Sequence, residues 1–79
     1  MSNWKAELAF DDFKRGRIDE YDLKSELRRI DSSSCMNHSI DKIIRDIDSG
    51  FRDSYDAARD FEEAQRDCEY RRRGYDREY

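Results

Sequence analysis

Two stretches of this 79-residue chain, with one distant cysteine, hold residue types able to do chemistry. Cys35-Met36-Asn37-His38 has the two-residue gap of half a zinc site, and Cys68 offers a third soft ligand farther on. A closed tetrahedral site needs a fourth ligand, and with a single histidine in the chain an acid would have to be recruited. The simpler reading is a polar loop cysteine and a small core cysteine, with no metal. Cys35 and His38 could also act as nucleophile and base, but that chemistry needs an activated thiol, an oxyanion site and a pocket that a chain this short hardly forms. No enzyme activity and no cofactor are expected. The many carboxylates stand four residues from arginines, which reads as a self-neutralising solvated helix face. The glycines at 16, 50 and 74 are too far apart to cradle a phosphate.

The second stretch, Tyr70-Arg71-Arg72-Arg73-Gly74-Tyr75, mixes bases with aromatics and could hold phosphate or stack on a nucleobase. The acidic remainder of the chain, with Asp76 and Glu78 beside the arginines, disfavours direct nucleic-acid binding. Tyrosine and arginine are also the residues enriched at protein-binding hot spots, so the stretch reads better as a set of anchors for a protein partner. The expected anchors are Tyr55, Phe61, Tyr70, Arg71, Arg72, Arg73 and Tyr75.

These residues have to be positioned by one small domain, residues 1–79, that buries only about 60–65% of its unfolded surface. Charged residues make up 46% of the chain and hydrophobic ones 35%, a balance that leans towards disorder; 13% aromatics and a clear periodicity lean back towards a fold. The formal charge of −4 is uneven. Residues 1–31 carry seven bases and eight acids, 32–69 five and ten, and 70–79 four and two, so an acidic middle precedes a basic, aromatic tail. An acidic body favours basic protein surfaces. Two cysteines are too few for a disulfide framework, no apolar N-terminal segment resembles a signal peptide, and no apolar run is long enough for a membrane. A soluble cytoplasmic protein with free thiols is expected, although Cys35 and Cys68 could meet if their loop folds back.

The dominant pattern is a seven-residue repeat from Ile40 to Tyr75. Arginine recurs at 45, 52, 59, 66 and 73, aspartate at 46, 53, 60 and 67, and Ile40, Ile44, Ile47, Phe51, Ala58 and Phe61 form one seam. The flanking slot holds Ile43, Gly50, Ala57 and Ala64, small enough at its far end to admit the Trp4 and Phe10 face of another helix. Gly50 would normally end a helix, but the seam and the acid-before-base pairs Asp41–Arg45, Asp48–Arg52, Glu62–Arg66 and Glu69–Arg73 keep phase across it. One long helix, bent at most at Gly50, is therefore expected. Ahead of it, Ser2 caps a first helix to about Lys14, and Gly16 ends that helix. Asp19 caps a second, with Ile18 clasping Leu23, and residues 32–38 form a loop before a cap at Ser39. The expected fold is all-α, a helical hairpin of two short helices packed on one long C-terminal helix.

In size, absence of proline, acidic helical body and absence of catalytic motifs, the chain resembles the small inhibitors that bacteriophages and mobile elements encode against host machinery, anti-CRISPR proteins among them. The residues behind the likeness are the acids at 41, 46, 48, 53, 56, 60, 62, 63, 67 and 69 and the Tyr/Arg tail. The resemblance implies a stoichiometric blocker of a basic or nucleic-acid-binding surface on a larger complex. The arginines at 45, 52, 59 and 66 dilute the field that strict DNA mimicry would use. Two alternatives are a coiled-coil homodimer with an assembly role, built on the same seam, and a small nucleic-acid-associated protein using Arg71 to Arg73.

Overall fold

Aspartate and glycine punctuate the chain at regular places, and the helices follow them. The computed structural model describes residues 4–72, which form helices α1 (Trp4–Lys14), α2 (Glu20–Ile30), α3 (Asn37–Asp48) and α4 (Ser54–Arg72), with a 3₁₀ turn at Ser34–Met36. The fold is all-α and, among the described residues, without strands. The expected caps at Asp19 and Gly16 are present. Asp22 N–H donates to Asp19 Oδ1 at 2.8 Å, and Gly16 takes φ +80°. Ser2 lies outside the described residues, as do the expected anchors Arg73 and Tyr75.

The single long helix is not formed. Gly50 takes φ +85°, Gly50 N–H donates to Ile47 O at 3.1 Å and Phe51 N–H to Asp46 O at 2.8 Å. That pair of bonds is a Schellman ending, which satisfies carbonyls that a helix end leaves unpaired. Three residues on, Asp53 accepts from Asp56 N–H at 2.9 Å and starts α4. The ion pairs that argued for continuity offer only about 0.2–0.5 kcal/mol each, and the turn lets Arg52 exchange the expected Asp48 for two closer acids. Phe51, in phase with the seam, is thrown out to 81% exposure. Two helices folded back on each other bury more seam than a rod could, and this outweighs the local pairs.

The loop is also shorter than expected. Met36 is fully buried and anchors the 3₁₀ turn, so α3 begins at Asn37 and Ser39 lies inside it, not at its cap. Asp31 accepts from Ser33 N–H at 3.0 Å and from Gln65 Nε2 at 3.0 Å, tying the α2 exit to α4. Arg28 donates to the Asn37 side chain across the same junction.

The two turns are the same turn. Gly16 and Gly50 stand 34 residues apart, and at that offset Asp12 matches Asp46, Asp19 matches Asp53, Tyr21 matches Tyr55 and Asp22 matches Asp56. Arg17 N–H donates to Asp12 O at 2.8 Å and Gly16 N–H to Phe13 O at 3.1 Å, the same pair of bonds as at Gly50. The buried positions repeat as well, with Ala6, Ala9, Phe10, Leu23 and Leu27 answering to Ile40, Ile43, Ile44, Ala57 and Phe61. The chain is thus two copies of one helical-hairpin plan. The copies do not pack symmetrically. The most extensive interhelical contact is α1 on α4, the pair whose buried positions include Ala6, Ala9, Ala57 and Ala58. Alanine there lets the backbones approach, and Phe10 meets Phe61 edge-on at 6.2 Å across that contact. The α1 face is wider than its cover, for Trp4 and Leu8 remain exposed.

Cys35 and Cys68 are joined in a disulfide, Cα to Cα 6.0 Å, which corrects the expectation of free thiols. It links the 3₁₀ turn to the distal half of α4.

Candidate functional site

The paired sulfurs decide the fate of the chemistry first considered. With Cys35 bonded to Cys68, neither sulfur is a thiolate for attack on a substrate or for zinc. Among the described residues no group of three or more His, Cys, Asp or Glu is placed to hold a metal ion, and no helix is long and apolar enough to cross a membrane.

The expected anchors separate into a core and a surface. Phe61 is fully buried against Phe10, so it cannot touch a partner. The seam it belongs to, with Ile40, Ile44, Ile47 and Ala58, closes the domain's own core. Tyr55 and Tyr70 are exposed, 60% and 55%, and so is Arg71. Arg72 is the last residue of α4. Tyr55 and Tyr70, fifteen residues apart in one helix, point within about 60° of each other and lie about 22 Å apart along its axis. They therefore share one face at opposite ends. Sequence reasoning passed over Trp4, Leu8, Tyr21 and Phe51, which are exposed too. The recurrence of Gly-x-x-Asp-x-Tyr-Asp at 16 and 50 would have flagged Tyr21 as the counterpart of Tyr55.

Each hairpin leaves a groove between its two helices. The α3/α4 groove encloses about 290 Å³ and is walled by Ser39, Lys42, Ile43, Asp46, Arg52, Asp60, Glu63 and Ala64, continuing past the disulfide to Asp67 and Arg71. Arg52 lies across it. Its Nε is 2.9 Å from Asp46 Oδ2 and its Nη1 is 3.0 Å from Asp60 Oδ2, so one guanidinium joins a carboxylate of each helix. The hydrogen bond that Arg52 donates to Asp46, then the charge of Asp60, raise the Arg52 pKa beyond its ordinary value. At Lys24 on α2, the hydrogen bond and charge of Asp41 on α3, 3.3 Å away, raise the ammonium pKa in the same sense.

The α1/α2 groove is larger, about 630 Å³, and is lined by Lys5, Leu8, Ala9, Asp12, Ile18, Glu26, Arg29 and Ile30. Moved on by 34 residues, every one of these becomes a wall residue of the α3/α4 groove. The two grooves are equivalent places in the repeated plan, with one decisive change. Where Arg52 bridges two acids, the first hairpin has Ile18, partly buried against the core. Among the described residues, the matching acids, Asp12 and Glu26, pair with exposed arginines of their own neighbourhood, Arg17 at 3.9 Å and Arg29 at 3.7 Å.

Comparison with family models, with curated proteins and with solved structures returned no match for this chain.

Proposed function

We propose that the chain is a non-enzymatic protein-binding module that acts as a stoichiometric inhibitor, docking the outer face of α4 on a basic surface of a larger complex. The observation that supports this is the exposure of Tyr55 and Tyr70, 60% and 55%, on one face of α4. Rigid tyrosines separated by charged residues are what a hot-spot surface is made of. The ten acids against five bases of residues 32–69 favour a cationic partner. A phage or mobile-element setting, with a host defence complex as target, fits the same features. Action in the cytoplasm belongs to this reading, and the disulfide is its strain point, because such bonds persist mainly in oxidising compartments. Assembly through the heptad seam draws no support from the fold, since that seam, Phe51 apart, is buried within one chain.

The test is affinity capture from the source cells with the native chain and with a Tyr55→Ala, Tyr70→Ala variant. The variant is expected to retain its melting temperature and to lose roughly tenfold or more of the captured partner, the scale of a hot-spot truncation. Equal capture by both proteins would remove the α4 face from the account.

A further inference from the structure

The geometry points to the α1/α2 groove as a receptor for an arginine side chain of a partner protein, presented between apolar neighbours. The groove is separate from the α4 face, and its precedent lies in the chain itself. In the second hairpin the position between the two acids is filled by the chain itself, with Arg52 2.9 Å from Asp46 and 3.0 Å from Asp60. In the first hairpin the equivalent acids Asp12 and Glu26 remain, but the bridging residue is Ile18. Isoleucine ends short of where a guanidinium would lie, and the groove is correspondingly open, about 630 Å³ against about 290 Å³. The side chain that replaces the arginine, together with Leu8 and Ile30, supplies an apolar wall beside the acids. A cation with an aliphatic stem matches both halves, and a planar fork matches two carboxylates on separate helices better than a point charge does.

The experiment follows methyl resonances of Leu8, Ile18 and Ile30 in the full chain, oxidised, during titration with a blocked alanine- and glutamine-based helical peptide carrying one arginine between two leucines. A second peptide replaces that arginine by citrulline, which keeps the shape and removes the charge. The arginine peptide is expected to shift those methyls and to bind at least tenfold more tightly than the citrulline peptide. An Ile18→Arg variant, expected to fill its own groove as Arg52 does, should lose that binding at least tenfold while keeping a dispersed spectrum. If that variant fails to fold, Asp12→Asn with Glu26→Gln serves instead, with the same expected loss. The proposal is overturned by equal binding of the two peptides, by no shift of these methyls at millimolar peptide, or by variants that bind like the native chain. It is overturned equally if the methyls shift with protein concentration alone, which would give the groove to a second copy of the chain.

Discussion

Opening the Cys35–Cys68 bond, with reductant or by a Cys35→Ser, Cys68→Ala pair, is expected to lower the unfolding free energy by about 3–4 kcal/mol. The bond closes a loop of sequence separation 33, and the chain-entropy cost of ordering an unfolded loop of that size without the link is of this order. The effect is large against the total. A domain of this size holds only a few kcal/mol in reserve, and at about 4–8 °C per kcal/mol the melting temperature should fall by roughly 15–25 °C. The position of the bond makes the loss local as well as global. Cys68 is buried on the distal half of α4, and its partner sits in the 3₁₀ turn that Met36 pins to the core. Thermal melts with and without reductant measure this directly. A shift below about 3 °C would show that the crosslink contributes little, and would remove the tension between the disulfide and a reducing compartment.

Phe61→Ala is expected to cost about 3–5 kcal/mol, the usual range for an aromatic removed from a core. Phe61 has no exposed surface and meets Phe10 at 6.2 Å where α1 crosses α4, so its loss opens a cavity at the most extensive contact in the fold. The alanines around it cannot collapse far to fill the space. Phe51→Ser provides the contrast. Heptad phase alone would give the two phenylalanines equal weight, yet Phe51 is solvated beyond the α3 ending, and its change should stay within about 0.5 kcal/mol. Urea denaturation of both variants checks the pair; similar losses from the two would contradict this core.

The helical class was legible because apolar spacing is a property of the chain itself. Ile40, Ile44, Ile47, Ala58 and Phe61 are on one seam in the sequence and are buried in the fold. The caps at Asp19 and Gly16 were legible for the same reason, since their bonds reach only three to five residues. At Gly50 the same local signal was present and was overruled by phase. Phase is a weak witness there, because a Schellman turn of fixed length can return a second helix to the core with the repeat still in register. One tertiary contact was legible, the Phe10 face of α1 against the small residues around Ala57 of α4, although Trp4 stays outside it; the polar and sulfur partners were not. Nothing local shows that Arg52 leaves Asp48 for Asp46 and Asp60, or that Cys35 reaches Cys68. Phe61 looked like a surface anchor because aromatic residues suit both hot spots and cores, and only the placement of α1 decides between them. The grooves were hidden behind the heptads, whose short period masked the 34-residue one.

The second half of the molecule is a hairpin built like the first, and Gly50→Ala tests this by sign. In a continuous helix, alanine for glycine stabilises by roughly 0.8–1 kcal/mol. At φ +85°, with open space around the added methyl, the change instead forces a left-handed conformation that costs about 1–2 kcal/mol. Denaturant titration of Gly50→Ala beside Gly16→Ala should show both destabilised by similar amounts. A Gly50→Ala protein more stable than the native chain, with Gly16→Ala less stable, would mean that the rod was right and the repeated hairpin wrong.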